Sequence, residues 1–240
     1  MSKQCGTLGF VWLLVIGLLL PFPVEGKKKW RTVQHWREFY RANRERCNLP
    51  FVELGRAQQL RIGKRRFGFN GTRLVEKTKD ADQVTRIGLI SATRDSNGLT
   101  HDNIRQFIQH FHAAKVDWIV VNGDVGYDKE NIIRNLSPFV RAKIPVLVVI
   151  GNGESIAVFN DAMADLMLKN DNIINLNFTR YIEADDVIFV SLPGYYNPDK
   201  VLASDGCVYP PRALRRLEQL IKKKRNKPVI LISHGAPKGE

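Results

Sequence analysis

Three side chains of metal-ligand type stand just past the ends of apolar runs. Asp124 follows Asp117–Asn122 (DWIVVN), Asn152 follows Pro145–Ile150 (PVLVVI), and His234 follows Pro228–Ser233 (PVILIS). A carboxylate, an amide oxygen and an imidazole are donors that hold first-row divalent ions, and hard donors of this kind serve metal-assisted hydrolysis. Other chemistries lack their parts. There is no Gly-x-Ser-x-Gly elbow, no P-loop and no complete Ser/His/Asp arrangement. No Cys-x-x-Cys pair exists for a thiolate zinc site. His101, His110 and His112 fall on or near one helical stretch and read as surface or helix-end residues, while Asp128 is a loop acid that could orient the site from behind.

Those side chains need elements to hold them. From Val84 onward, apolar β-rich runs alternate with helical spacing. Strands are expected at Arg86–Ser91, Asp117–Asn122, Pro145–Ile150, Ile173–Leu176, Thr179–Glu183, Val187–Leu192 and Pro228–Ser233. Helices are expected at Thr100–Ala114, Asn131–Arg141, Ala157–Leu168 and Pro211–Lys224. Continuous apolar strands separated by helices predict an α/β fold with a sheet buried on both faces. Ligand sites in such sheets lie beyond the carboxyl ends of the strands. The first strand ends Ser91-Ala92-Thr93-Arg94-Asp95, the second Asn122-Gly123-Asp124-Val125-Gly126, the third Gly151-Asn152-Gly153-Glu154 and the last Ser233-His234-Gly235.

In this order the strand ends resemble the motifs of calcineurin-like metallophosphoesterases: Asp-x-His, Gly-Asp, Gly-Asn-His-Asp/Glu and a later His. The spacing fits, with 32 residues from Ala92 to Asp124 and 28 from Asp124 to Asn152. The resemblance spans residues 84–234. It implies a layered sandwich with a mostly buried mixed sheet flanked by helices, and a site for divalent metal (Mn, Fe, Zn or Mg). Asp124 would match the carboxylate that bridges two ions, Asn152 the amide ligand and His234 a histidine ligand. Three positions depart from the pattern. Ala92 stands for the first Asp, Arg94 for the first His, and Gly153 for the His that follows the Asn. The Gly-His-x-His that carries further ligands is not reached before Glu240, so the expectation is a degenerate, C-terminally incomplete member lacking the last strands of the family fold.

The net charge of +13 sits almost entirely ahead of this domain. Residues 27–80 carry 16 Lys/Arg against 5 Asp/Glu; residues 81–240 carry 20 against 18. The chain therefore divides into 1–26, a signal peptide or signal anchor; 27–80, a basic extension with an amphipathic helix and a hairpin; and 81–240, the phosphoesterase-like domain. Gly6–Val24 is uncharged and suits either a cleaved leader or an anchor. A basic segment directly after an apolar run favours an anionic membrane surface, met through residues 27–66, over nucleic acid. Trp30, Val33, Trp36 and Tyr40 fall at helical steps that suit a membrane surface or packing on the domain equally. Arg66–Val75 reads as a hairpin turning on Asn70-Gly71. Asn70-Gly71-Thr72 and Asn177-Phe178-Thr179 are also glycosylation sequons. Cys47 and Cys207 could pair if the domain is exported. The expected location is the cell envelope or a membrane, by export or by an uncleaved anchor.

Two functions follow. The resemblance implies a metal-dependent hydrolase of phosphate mono- or diesters. The replaced ligands at Ala92, Arg94 and Gly153 favour a non-catalytic, membrane-associated module that binds a phosphate-containing molecule or a partner. In the second, Arg94 grips phosphate in place of metal charge, unless it merely pairs with Asp95 or another acid.

Overall fold

Period-two burial on both faces of the strands is what forces the architecture. In Trp118–Asn122 (β5) and Val146–Val149 (β6), every residue except Asn122 is buried. Successive side chains of a strand point to opposite faces, so both faces need apolar cover. Ile119, Val121, Val146 and Val148 pack into one cluster with helical side chains, and Trp118, Val120, Leu147 and Val149 into another with a second sheet. Each fully buried Val, Leu or Phe contributes about 1.5–3 kcal/mol. The computed structural model describes residues 33–50, 57–79, 82–222 and 227–235, with side chains from 38 onward. The apolar run at 6–24, the basic cluster at 27–31 and residues 223–226 lie outside the described residues. Among those described, no helix is long and apolar enough to cross a membrane.

Before the domain come a helix, Val33–Asn43 (α1), and three strands, Gln58–Ile62 (β1), Arg65–Phe69 (β2) and Arg73–Glu76 (β3). Then Ile87–Ile90 (β4), Gly98–Ala113 (α2), β5, Lys129–Val140 (α3), β6, Ile156–Met167 (α4) and Ile173–Asn175 (β7) follow as strand–helix units. Tyr181–Glu183 (β8), Ile188–Ser191 (β9), Pro211–Lys222 (α5) and Val229–Ile232 (β10) complete the described chain. Four strands form a parallel sheet in the order β4-β5-β6-β7. Six form a mixed sheet in the order β1-β2-β3-β8-β9-β10. Helices α2, α3 and α4 cover the parallel sheet, the two sheets meet through Trp118, Phe67, Phe189 and their neighbours, and α5 covers the far face of the mixed sheet through Ala213 and Leu217.

The α/β sandwich agrees with the sequence reading, with one correction. The sequence reading buries β4 on both faces, whereas among the described residues it is an edge strand, with Ile87 and Leu89 37% and 64% exposed. An apolar run says that a strand has apolar neighbours; it does not say on how many sides.

The segment ahead of the domain is built into the sandwich. β3 pairs in parallel with β8, so β1 to β3 extend the same sheet as β8 to β10. Phe39 and Tyr40 at the end of α1 pack on Phe178, and the Tyr40 hydroxyl donates to Met167 Sδ at 2.9 Å. Packing on the domain is therefore the role these side chains play. The hairpin forms, but it turns on Gly71-Thr72 rather than Asn70-Gly71. The Asn70 N–H donates to Arg73 O at 3.1 Å, the Asn70 Oδ1 accepts from Arg73 N at 2.9 Å, and Gly71 takes φ 90°. Both sequons are buried in the folded chain. Asn70 and Thr72 are only 9% and 3% exposed, and Asn177 and Thr179 0%.

Cys47 and Cys207 form a disulfide across 160 positions. Closing so long a loop removes entropy from the unfolded chain, and the stabilisation is about 2–4 kcal/mol. Cys47→Ser with Cys207→Ser is expected to lower the thermal midpoint by roughly 5–15 °C. An unchanged midpoint, measured by scanning calorimetry, would show that the bond is not a stabilising crosslink.

Candidate functional site

Three loops converge beyond the carboxyl ends of β4, β5 and β6. Each is fixed at its far end by a helix cap. Asn97 Oδ1 accepts from Thr100 N (2.9 Å), Asp128 Oδ1 from Asn131 N (2.8 Å) and Ser155 Oγ from Val158 N (3.3 Å). Such caps contribute about 1 kcal/mol each. Asp128 is thus the cap of α3, an ordinary structural role. Among the other histidines, His101 meets Ser96 Oγ at 3.1 Å, and His110 and His112 are exposed on α2.

At their near ends the loops hold one another. The Ala92 N–H donates to Gly123 O and the Arg94 N–H to Asp124 O, both at 3.1 Å. Ser91 Oγ donates to Asn122 O at 2.8 Å, and Thr93 Oγ1 to Val125 O at 3.1 Å. The backbone is left-handed at Ala92 (φ 56°), Arg94 (φ 37°), Gly123 (φ 76°) and Asp124 (φ 53°). Each non-glycine residue in that region costs roughly 1–3 kcal/mol, and such residues gather where a site needs a side chain aimed. Gly123 has no alternative. A Cβ there would lie 2.6 Å from His234 Nδ1 and 2.7 Å from Gly151 Cα.

The three predicted ligands come together. His234 Nε2 lies 2.9 Å from Asn152 Oδ1 and 3.6 Å from Asp124 Oδ1. Asp124 is 4% exposed. Its Oδ1 accepts from the Gly153 N–H at 3.1 Å, and its Oδ2 accepts a charge-assisted bond from the Arg94 guanidinium. Asp124, rather than Asp95, is therefore the acid that Arg94 pairs with. That bond and the Asp124 charge raise the Arg94 pKa further above its ordinary value. Ala92 brings no ligand, and Gly153 presents only its backbone, with the Tyr127 ring 3.5 Å from where a Cβ would sit.

The donor set fits one cation better than two. Asn152 Nδ2 donates to Lys200 O at 2.6 Å, which turns Oδ1 toward His234. The other ring nitrogen, Nδ1, lies 2.7 Å from Asn122 O. Both imidazole nitrogens thus face acceptors. With Nδ1 turned to Asn122 O, Nε2 faces Asn152 Oδ1 and Asp124 Oδ1, and these three atoms suit a single metal ion. The position of a second ion is different. Arg94 occupies one oxygen of Asp124 with a fixed cation, and Ala92 adds no oxygen; these residues do not fit a dinuclear centre. Among the described residues, no three His, Cys, Asp or Glu side chains converge.

Glu154 is the residue that sequence reasoning passed over. It is 1% exposed and its carboxylate accepts N–H bonds from Gly151 (2.8 Å), Asp124 (3.3 Å) and Val125. Burial raises its pKa, and these backbone donors work against the rise. The signal was present: an acid directly after Gly-Asn-Gly at a strand end.

Residues 99–240, more than half of the chain, match the family model described as calcineurin-like phosphoesterase. No relative is found among curated proteins. Among solved structures, a dimetal phosphatase from Danio rerio is 15% identical, with 64% of this chain and 70% of that chain covered and a TM-score of 0.44. Phosphopantetheinyl hydrolase from Mycobacterium tuberculosis is 12% identical, with 64% and 69% covered and a TM-score of 0.36.

Replacing Glu154 by Gln keeps the shape but puts an NH2 group against N–H donors. Leaving such groups unsatisfied costs about 1–3 kcal/mol each. Glu154→Gln is expected to lower the thermal midpoint by roughly 2–10 °C. A wild-type midpoint would show that the carboxylate is no clamp.

Proposed function

Since the chain belongs to the calcineurin-like phosphoesterase family, we propose that it binds phosphate esters at the cleft around Asp124, Asn152 and His234, with Arg94 in place of one metal ion and little or no hydrolysis. The observation that carries this is the Arg94 guanidinium seated on the Asp124 carboxylate. The family uses divalent metal ions. Here Asp124, Asn152 and His234 would hold a single ion, which when bound supplies Lewis-acid charge to a phosphoryl oxygen. Arg94 supplies a planar fork that donates to two phosphate oxygens and does not dissociate. Its side chain is 47% exposed, so one edge remains open to a ligand while the other holds Asp124. Gly153 provides no proton donor for a leaving group. The site is thus equipped to hold and orient a phosphate ester, and poorly equipped to break it.

Slow hydrolysis with one ion is the second reading. It is favoured by the two acceptors that face the His234 ring.

The Cys47–Cys207 bond supports placing the domain in an oxidising compartment. We extend the proposal accordingly: the chain is exported or held at a membrane by its N-terminal apolar run, with the basic residues of 27–66 toward an anionic surface.

Elemental analysis of the protein with added Mn²⁺ is expected to find no more than one ion per chain. Turnover of a generic phosphodiester is expected to be no higher than that of Asp124→Ala. Phosphate is expected to raise the thermal midpoint of the wild type and to raise that of Arg94→Ala by less. Robust turnover abolished by Asp124→Ala would defeat the non-catalytic reading; no phosphate effect on the wild type would defeat the binding reading.

A further inference from the structure

The loop from β5 to α3 brings an aromatic ring to the rim of the cleft. Val125 is fully buried with its N–H on the Glu154 carboxylate, and Asp128 caps α3. Tyr127 stands between these two anchors and is still 50% exposed. Its ring borders Gly153, which is itself partly exposed. A Cβ at Gly153 would lie 3.5 Å from Tyr127 Cε1 and 3.2 Å from Asp124 Oδ1, with no other residue nearer among those described. The glycine beside His234 differs. A Cβ at Gly235 would lie 3.0 Å from Tyr195 Cδ2, so that place is already covered by a ring. Gly153 thus floors an open notch between Asp124 and Tyr127. After the Asp124 hydrogen bond and charge, Tyr127 adds to the rise in the Arg94 pKa, so it lies within electrostatic reach of the guanidinium.

We propose that the notch over Gly153, walled by the Tyr127 ring, takes the organic group of the bound phosphate ester, and that this group is aromatic. The proposal rests on the reading of the cleft at Asp124 and Arg94 as a phosphate-ester site. A glycine backbone has no Cβ to hold a flat group away. A tyrosine ring beside it can pair with a second ring, stacked or edge to face, and such pairs stabilise beyond the area they bury. An aliphatic group would gain the buried area without the ring pairing. The backbone on either side of Tyr127 is already fixed, so little loop ordering is lost when a ligand meets it. Gly153 therefore does more than omit a proton donor: a side chain there would fill the place of the organic group.

Titration calorimetry of the full chain with phenyl phosphate, cyclohexyl phosphate and inorganic phosphate reads the notch. Phenyl phosphate is expected to bind roughly two- to tenfold tighter than cyclohexyl phosphate. Tyr127→Leu is expected to abolish that preference and Tyr127→Phe to keep it, while both variants bind inorganic phosphate as the wild type does. Gly153→Ala, whose added methyl enters the notch, is expected to weaken both esters several-fold and inorganic phosphate little. Equal wild-type affinities for the two esters, or a preference for phenyl phosphate that survives Tyr127→Leu, would overturn the proposal and leave phosphate-ester binding standing. A wild type that binds none of the three would overturn the binding reading, and this proposal with it.

Discussion

The site depends on how closely three strand ends approach, and a buried carboxylate sets that approach. Glu154 accepts from the backbone of its own loop and from that of Asp124 and Val125, so the loops after β5 and β6 share one acceptor. Gly123 permits the contact because any Cβ would strike His234 and Gly151. Left-handed backbone at Ala92, Arg94 and Asp124 then follows from loops that have no room to take another course. The strain is local, while the caps at Asn97, Asp128 and Ser155 and the core beneath the sheets hold it in place.

In the proposed function, this cleft does partly with a side chain what a metal centre does with charge. A guanidinium and a divalent ion both neutralise Asp124, but they differ in kind. The ion accepts several ligands and can activate water; the guanidinium has fixed directions and accepts none. Under the proposed function, keeping Asp124, Asn152 and His234 together while Arg94 takes one face of Asp124 would preserve the frame for a phosphoryl group and change what can be done to it.

Much of this was legible in the sequence. Every strand expected from Val84 onward is present, and the observed ends fall within a residue or two of those expected. Those strands are short apolar runs bounded by polar turns, and local pattern suffices to find them. The convergence of Asp124, Asn152 and His234 was legible from their place at strand ends. The partner of Arg94 was not, because Asp95 and Asp124 are equally acidic in a sequence and only the turn at Ala92 to Arg94 chooses between them. Nor was the joining of β3 to β8, a parallel pairing across more than a hundred residues that leaves no local trace. The turn at Gly71 rather than Asn70 was decided by the pairing of Asn70 with Arg73, which an Asn-Gly dipeptide alone does not specify.

The disulfide divides the chain topologically. Cys47 and Cys207 close a covalent ring that contains the whole parallel sheet, β1 to β3, β8 and β9, together with Arg94, Asp124, Asn152 and Glu154. α5, β10 and His234 lie outside that ring. Among the described residues β10 has one neighbour, β9, and Leu231 on it is 50% exposed. Local opening begins where neighbours are fewest. Of the three side chains that converge, the imidazole is therefore the one carried outside the covalent ring, and local opening at β10 would part it from Asp124 and Asn152.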